Sequence, residues 1–336
     1  MKFLRRTFFV LICLALVFAV TAAPGVSAER MKLIPGGMSF GVKFFTDGAV
    51  VVGITGVETN AGLVCPASDS GISVRDVITA VNGEKLASAE DLIEAIRGGN
   101  GSELKLSVTD TDGNLRDVAV TPAKGTDGVY RIGVWVRDST AGIGTVTFIS
   151  AENGFFGGLG HAICDVDTGI ILPVGKAYVV DVDITSVVKG REKTPGELKG
   201  TFGTAVKGEI ITNCEVGVFG TYTDPPESLR EPMEVGKASE LMAGDATVLC
   251  AVDGTVKEYG IEIVKIYKDS GNTKNFLIEV TDPELLKLTG GIVQGMSGSP
   301  IIQNGRIVGA VTHVLVNNHT RGYGIHIENM LSGSSQ

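Results

Sequence analysis

The sequence is poor in proline, aromatic and basic residues, and each shortage excludes a class of protein. Only 11 of its 336 residues are proline and no Gly-X-Y period is present, so a collagen-like chain is excluded. Acidic residues outnumber basic ones by 38 to 29, and no basic stripe with interleaved aromatic residues occurs, so we expect no nucleic-acid partner. No GK[ST] phosphate loop and no HExxH zinc motif is present, and we expect no cofactor and no metal.

Glycine and small strand-forming residues dominate what the sequence does contain. Its 46 glycines are about twice the usual share of roughly 7%. Hydrophobic residues make up 43% and charged residues 20%, a balance that can fill a hydrophobic core. Few aromatics beside many Val, Ile and Thr predict short strands joined by tight turns. We therefore expect a mainly β fold, with a length that suits about two domains.

Residues 1–28 have the features of an export signal. Lys2, Arg5 and Arg6 precede an apolar or small run from Phe8 to Ala23, and Val26-Ser27-Ala28 supplies small residues at the usual cleavage spacing. As a helix this run spans about 24 Å, short of a hydrocarbon core of ~30 Å. A cleaved signal is therefore favoured over a permanent anchor. We expect an exported protein, with delayed cleavage and contact with a membrane surface as the alternative.

Four cysteines follow this signal, and their pairing stays open. An even count in an exported chain permits disulfides, whereas the long spacings match no zinc pattern. Four small buried thiols fit the sequence at least as well. The residues are Cys65, Cys164, Cys214 and Cys250.

Residues 36–124 are predicted to form the first domain. A helix is indicated where Ser88 can cap the chain, Asp91 occupies the capping-box position, and Leu92 and Ile96 share one face. Asp112-Gly113 predicts a tight turn between the last two strands of the domain. The strand-like runs cover residues 41–45, 49–54, 76–81, 104–109 and 116–121.

The stretch from Pro66 to Gly83, PASDSGISVRDVITAVNG, resembles the most recognisable segment of PDZ domains, with Arg75 where a glycine is usual. The resemblance implies a peptide-binding module. An extended peptide would pair with an open strand edge, and glycines would let its carboxylate approach backbone N–H groups. The alternative is that these glycines only form a turn. The implied loop and strand that receive the ligand comprise Gly37, Met38, Ser39, Phe40 and Gly41.

Residues 130–332 are predicted to form a second domain. The segment consists mostly of short apolar runs separated by turn residues, with one or two short helices. This pattern is typical of a pair of barrels or a sandwich. Strands and helices do not alternate in a sustained way, which argues against a doubly wound dinucleotide-binding fold.

The sharpest motif in the second domain is Gly295-Met296-Ser297-Gly298-Ser299-Pro300. Acyl transfer needs an exposed hydroxyl on a tight turn and backbone N–H groups aimed at the developing oxyanion. In this interpretation Ser297 is the nucleophile, and the N–H groups of Gly295 and Ser297 form the oxyanion hole. A glycine-rich hairpin without chemistry is the alternative.

A general base would have to come from one of only four histidines. His161 follows small residues, which leave room for an imidazole to meet a serine and a substrate. His313 ends the strand after the serine hairpin and can be a wall residue, whereas His319 lies in a polar segment. Chymotrypsin-like enzymes carry His, acid and Ser in that order, which favours His161. The remaining histidine is His326.

Together, Gly160-His161-Ala162, the Gly295–Pro300 motif and the upstream PDZ-like segment resemble the stage IV sporulation protein B peptidase family. The resemblance covers nearly the whole chain after the signal. It implies a PDZ domain followed by a chymotrypsin-like double β-barrel serine endopeptidase. Members of that family are secreted in endospore-forming bacteria and signal between forespore and mother cell. They cleave a regulator of a membrane-embedded protease, and they cleave themselves.

The resemblance and the residues disagree about the catalytic acid. The resemblance implies Asp282, which we take as the acid that holds the imidazole tautomer. The residues by themselves favour Asp282 as the N-cap of a helix that begins at Pro283. An acid closer to the histidine, as chymotrypsin-like enzymes usually have, would point to Asp181 or Asp183.

Two functions from different classes follow. The first is a secreted serine endopeptidase, with a protein substrate and a PDZ peptide ligand as its partners. The second is an exported PDZ adaptor whose peptidase-like domain is a catalytically silent scaffold. Loss of self-cleavage and of labelling by a serine-reactive phosphonate on replacing Ser297 would distinguish the first from the second.

Overall fold

A computed structural model describes residues 30–191, 193–226, 230–267 and 273–334. The predicted export signal lies outside the described residues. Residues 1–31 and 32–336 are separate units, and the fold below is that of the second. No helix of the described ranges is long and apolar enough to cross a membrane.

Strands make up most of the described chain. They are β1 (Lys32–Pro35), β2 (Ser39–Ile54), β3 (Val57–Thr59), β4 (Gly62–Val64), β5 (Val77–Val81), β6 (Glu84–Lys85), β7 (Leu104–Thr109), β8 (Leu115–Val120), β9 (Ala123–Lys124), β10 (Tyr130–Arg131), β11 (Val134–Ile149), β12 (Phe155–Gly158), β13 (Val174–Val188), β14 (Gly196–Cys214), β15 (Gly217–Tyr222), β16 (Met233–Val235), β17 (Gly244–Cys250), β18 (Lys257–Ile266), β19 (Phe276–Val280), β20 (Val293–Gln294), β21 (Pro300–Gln303), β22 (Arg306–Leu315) and β23 (Asn318–His326). The α-helices are α1 (Pro66–Asp69), α2 (Ala89–Gly98), α3 (Pro283–Thr289) and α4 (Ile327–Gly333), and a 3-10 turn covers Ala238–Glu240.

Two closed barrels form the larger part of the molecule. The first runs β2–β11–β12–β15–β14–β13 and returns to β2, and its core contains Phe40, Phe44 and Phe156. The second runs β17–β18–β19–β23–β22–β21 and returns to β17, around Ile263 and Ile278. This confirms the mainly β class and the expected pair of barrels.

The PDZ domain is a five-stranded sheet in the order β11–β2–β5–β7–β8, with α2 against it. Helix α2 has the predicted capping box, in which Ser88 accepts from the N–H of Asp91 and the Asp91 carboxylate accepts from Ser88. The β7–β8 hairpin also forms as predicted, with Leu104 opposite Val120. Both signals were local in sequence, and both are confirmed.

Strand β2 departs from the prediction. Residues 41–45 and 49–54 were expected to be two strands of the first domain, but they belong to one strand of 16 residues. Gly48 has φ +115°, and a Cβ added there would lie 2.6 Å from the Ile78 carbonyl oxygen, so the close approach of the two strands requires glycine. The half before Gly48 packs in the first barrel, and the PDZ core begins at Ala49. The predicted start of the PDZ domain at residue 36 therefore includes a strand that belongs to the barrel.

Candidate active site

A cleft between the two barrels brings together the predicted base and nucleophile. His161 and its neighbours reach the cleft from the first barrel, after β12. Ser297 and Gly295 reach it from the loop between β20 and β21, and His313 reaches it from β22. Residues that are 136 positions apart in the chain thus share one solvent-accessible site.

The nucleophile loop, defined as Gly295–Ser299, is a tight turn that depends on two glycines in the left-handed region. Gly295 has φ +99° and Gly298 has φ +94°. Met296 is 1% exposed and anchors the turn in the core of the second barrel. Ser297 projects to the cleft, and its Oγ donates a hydrogen bond to the Thr312 carbonyl at 2.7 Å. The hydroxyl is therefore presented at the cleft but bonded to a backbone carbonyl and not to an imidazole.

The backbone of this loop leaves two donors unused. The N–H groups of Gly295 and Ser297 have no hydrogen-bond acceptor within the described part of the chain, whereas the N–H of Met296 donates to Val293 at 3.1 Å. Unpaired backbone donors beside a serine hydroxyl are the arrangement that stabilises a tetrahedral oxyanion. The geometry thus fits the predicted oxyanion hole.

His161 is oriented by its own backbone. Its Nδ1–H donates to the carbonyl of the adjacent Ala162 at 2.8 Å, which leaves Nε2 as the proton acceptor. Burial lowers the pKa of His161, and the Ala162 carbonyl partly offsets that effect. The imidazole is therefore neutral at neutral pH and is in the tautomer that a general base requires.

A second histidine lies against the first. The rings of His161 and His313 are 5.0 Å apart between centroids, and both line the cleft. Burial, together with the neighbouring His161, lowers the pKa of His313 to about 4. His319 and His326 lie on β23, where His326 packs against Phe276 away from the cleft residues.

Asp282 does not contact His161. Its Oδ1 accepts from the N–H groups of Glu284 and Leu285, at 2.8 and 3.1 Å, and its Oδ2 accepts from Gly260 at 3.2 Å. It is the N-cap of α3, as the residues by themselves indicated. The role as catalytic acid, which came from the resemblance, has no hydrogen bond to support it.

The two alternative acids do not meet His161 either. Asp181 and Asp183 are exposed on β13, and Asp181 lies 3.7 Å from the Lys207 ammonium. The Ala162 carbonyl is the acceptor that the structure places on the Nδ1 side of His161. Sequence reasoning missed this group because a backbone carbonyl leaves no signature in the residue types.

The cleft walls are mainly apolar. Val42, Ile143 and Leu159 come from the first barrel. Val314 comes from the second barrel, and Ile292 comes from the segment just before β20. Gln294 supplies a polar side chain near the nucleophile loop. No group of three or more His, Cys, Asp or Glu side chains in the described ranges is placed to bind a metal ion. Cys65, Cys164, Cys214 and Cys250 are free thiols.

The predicted PDZ ligand loop does not lie at an open strand edge. Residues from Gly41 to Phe45 pair with β11 on one side and with β13 on the other. Phe40 is 2% exposed in the barrel core, and the carbonyl of Met38 accepts from Val146. Gly37 donates to the same residue. Gly41 is occupied on both edges, Phe40 is buried, and Gly37 and Met38 already bond to Val146 of β11, so the predicted ligand segment Gly37–Gly41 is part of the barrel wall and this assignment is corrected.

A groove of the right kind lies elsewhere in the PDZ domain. The first three residues of β11, Val134–Val136, pair with β2 on one edge, and no described strand pairs with their other edge. Helix α2 lies across that open edge and contributes Leu92, Ile93 and Ile96 to an apolar groove. We refer to this groove between α2 and Val134–Val136 as the PDZ groove. Its strand comes from beyond the predicted end of the domain at residue 124, which is why it was missed.

One end of the PDZ groove carries free backbone donors. The N–H groups of Ile132 and Gly133 have no acceptor in the described ranges, whereas their carbonyls accept from Ala67 and Thr55, each at 2.9 Å. Gly133 has φ +82°. Adjacent unpaired N–H groups at a glycine turn suit a peptide carboxylate. An apolar–Gly–apolar triplet after a hairpin is the sequence signal that marks this loop.

The fold and the site define a class of protein: a serine peptidase with a PDZ domain near its N-terminus, followed by a chymotrypsin-like domain. The family model described as "SpoIVB peptidase S55" matches residues 128–331, and a PDZ family model matches residues 63–109. The peptidase match covers more than half of the chain. The chain therefore belongs to the SpoIVB peptidase family.

Similar proteins include one curated relative and several solved structures. A Lactococcus lactis (strain IL1403) protein named as a zinc metalloprotease, LL2128, is 42% identical over 69 residues, and the match covers 20% of this chain and 16% of that protein. The PDZ domain of the SdrC-like protein from Listeria monocytogenes matches at 22% identity, covering 27% and 87% of the two chains with a TM-score of 0.22. The active form of the Rv3671c protease of M. tuberculosis matches at 15% identity, covering 58% and 74% with a TM-score of 0.36.

Proposed function

We propose that this chain is an exported serine endopeptidase in which Ser297 is the nucleophile and His161 is the general base. The observation that carries the proposal is the cleft shared by His161, Ser297 and two unpaired N–H groups. Rotation of the Ser297 side chain about χ1 releases its hydroxyl from the Thr312 carbonyl. His161 Nε2 then takes the hydroxyl proton as Oγ attacks the scissile carbonyl, and the N–H groups of Gly295 and Ser297 receive the oxyanion.

The tetrahedral intermediate then collapses to the acyl-enzyme: the scissile C–N bond breaks, and the protonated His161 gives its proton to the leaving amine. Water then hydrolyses the acyl-enzyme, with His161 acting again as base. The Ala162 carbonyl holds the ring through Nδ1 in each step. It takes the orienting role that a carboxylate has in a Ser-His-Asp triad.

The PDZ groove is proposed to hold a protein ligand by its C-terminal segment. The open edge of Val134–Val136 would pair with an extended peptide, and the N–H groups of Ile132 and Gly133 would bind its carboxylate. The apolar lining favours apolar side chains at alternate positions of the ligand. The same preference is expected in the catalytic cleft, whose walls are mainly apolar.

Family membership supports a narrower role. We propose that the natural substrates are a regulator of a membrane-embedded protease and the chain itself. The expected location is extracytoplasmic, in the space between forespore and mother-cell membranes, with the segment before residue 29 as a cleaved signal or a transient membrane anchor. These proposals draw on the family and on the N-terminal sequence.

Purified full-length protein tests the serine mechanism. The wild type should be labelled by a serine-reactive aryl phosphonate and should cleave itself, and Ser297→Ala should do neither. Ser299→Ala is the matched control, because this neighbouring serine is fully buried and its Oγ has no hydrogen-bond partner. Equal behaviour of wild type and Ser297→Ala would contradict the mechanism.

One observation favours the silent scaffold as a second candidate. The Ser297 hydroxyl is bonded to Thr312 and not to His161. An adaptor with that serine permanently held would bind peptide but resist the phosphonate. The labelling experiment therefore separates the two candidates.

A further inference from the structure

Strand β11 belongs to both domains. Its first three residues, Val134–Val136, form the open edge of the PDZ groove. The same strand continues without a break to Ile149 inside the first barrel. At about 3.3 Å per residue, its 16 residues span roughly 50 Å. A single covalent element thus runs from the peptide groove to the wall of the catalytic cleft.

The second half of β11 holds the nucleophile loop by three hydrogen bonds. The Thr145 N–H donates to the Ser297 carbonyl at 2.9 Å, and the Thr145 hydroxyl donates to the Gly295 carbonyl at 2.7 Å. The Thr147 hydroxyl donates to the Gly298 carbonyl at 2.7 Å. Thr145 and Thr147 are 1% and 0% exposed, so no water competes for these bonds.

These bonds restrict the direction of one oxyanion donor, the Ser297 N–H. A peptide unit is planar, so fixing the Gly295 and Ser297 carbonyls fixes the peptide planes on both sides of the unit that carries the Ser297 N–H. That middle unit is also held at its own carbonyl, because Met296 accepts from Ser299 at 2.9 Å. The direction of the Ser297 N–H is therefore held by Thr145 on the two neighbouring peptide units and by the Ser299 N–H on its own unit.

The backbones of β11 and the nucleophile loop are in close contact at Gly298. A Cβ on Gly298 would lie 2.0 Å from the Thr145 carbonyl, so the backbones touch at the glycine. Any displacement of β11 at Thr145 must move the loop or break the hydroxyl bonds. A displacement of β11 at Thr145 is therefore expected to displace the nucleophile loop as well.

Strand β11 is also tied to the segment that carries the base. Arg137, directly after the PDZ groove, forms ion pairs with Asp165 and with Asp167, the latter at 2.7 Å. Asp165 is four residues after His161 and its side chain is fully buried. Irregular register on either side of Val136–Arg137 marks the position where β11 passes from one domain to the other.

We propose that Thr145 and Thr147 are positioning residues for the nucleophile loop, and that a peptide bound in the PDZ groove raises the reactivity of Ser297 through them. This inference rests on the proposed function. The Ser297 hydroxyl donates to the Thr312 carbonyl and must leave it to meet His161. Pairing of a peptide with Val134–Val136 adds a strand beside β11, and the resulting shift reaches the Gly295 and Ser297 carbonyls through Thr145.

The test uses the full-length protein and the octapeptide SGSTVTVL with a free carboxylate. Trp135, the single tryptophan, lines the PDZ groove and is 66% exposed, so its emission reports binding directly. The expected result is a change in Trp135 emission together with an increase of about tenfold in phosphonate labelling of Ser297. The C-terminally amidated peptide should produce neither effect.

Thr145→Val should lower basal labelling by about 10–100-fold and remove the response to peptide, while still binding the peptide. Thr145→Ser keeps the hydroxyl and should restore both. Thr79→Val is the control at a distant site. It removes a hydroxyl hydrogen bond to the Ser107 carbonyl within the PDZ sheet, and this bond does not involve the nucleophile loop.

Three results would overturn the inference. They are no emission change with millimolar peptide, labelling that is unaffected by bound peptide, and a Thr145→Val protein that responds like the wild type. Failure of the proposed function looks different: the wild type would then resist the phosphonate both with and without peptide, or its labelling would persist in Ser297→Ala.

Discussion

Replacing Asp282 tests whether this residue acts as a helix N-cap or as the catalytic acid. Its carboxylate accepts three backbone N–H bonds and none from His161. Loss of an N-cap costs about 1 kcal/mol, and leaving the Gly260 N–H without an acceptor adds about another 1 kcal/mol. Asp282→Ala should therefore lower the free energy of unfolding by about 2 kcal/mol.

Asp282→Asn should behave differently from the alanine variant. Asparagine is as good an N-cap as aspartate, and its carbonyl oxygen can still accept from Glu284 and Leu285. We expect a loss of less than about 1 kcal/mol and a phosphonate labelling rate within about threefold of the wild type. A triad acid replaced in the same way would slow catalysis by about 10⁴-fold, because the wrong imidazole tautomer is then held.

The assay combines thermal unfolding, followed by circular dichroism, with the labelling rate under saturating phosphonate. The account predicts that Asp282→Ala loses stability and that both variants keep their labelling rate at a temperature where they are folded. A fall of several thousandfold in Asp282→Asn with unchanged stability would refute the reasoning and restore Asp282 as the acid.

Three further predictions concern the base, the loop and the groove. Burial lowers the pKa of His161, so the neutral base form persists to lower pH, and the labelling rate should fall on acidification at a pH below that at which an exposed imidazole titrates. Gly298→Ala places a Cβ 2.0 Å from the Thr145 carbonyl and should reduce labelling by about 10²-fold or more, whereas Gly305→Ala, equally left-handed but with open space around it, should not. Gly133→Ala places a Cβ 2.3 Å from a backbone carbonyl of the PDZ domain and should abolish the emission change with the octapeptide, measured by titration.

Local signals in the sequence predicted local structure well. The capping box at Ser88 and Asp91 predicted α2, and the Asp112-Gly113 pair predicted the β7–β8 hairpin. Each depends on residues within a few positions of one another. The nucleophile turn at Ser297 was recognisable for the same reason, because its glycines stand beside the serine.

The pairing of β2 could not be predicted in the same way. Alternating apolar residues identify a strand and its two faces, but they do not identify the strands that bond to its edges. The predicted PDZ domain of residues 36–124 includes the strand 41–45, whereas these residues lie between β11 and β13 of the first barrel. The PDZ groove was misplaced as a consequence, since its strand comes from residues 134–136.

Backbone groups account for the rest of what was missed. The orienting acceptor for His161 is a carbonyl, and the carboxylate site at Ile132 and Gly133 consists of N–H groups. Every residue except proline carries both backbone groups, so composition and spacing cannot predict which of them take part in a site. The hydroxyls of Thr145 and Thr147 act over about 150 positions of sequence, which no local pattern encodes.

A crystal structure of the covalent phosphonate adduct tests the central claim most directly. The account predicts phosphorus bonded to Ser297 Oγ, with one phosphonyl oxygen about 2.7–3.1 Å from the N–H nitrogens of Gly295 and Ser297. His161 Nε2 should face the leaving-group position, with Nδ1 still bonded to Ala162. An adduct on another serine, or an oxygen directed away from those two nitrogens, would contradict it.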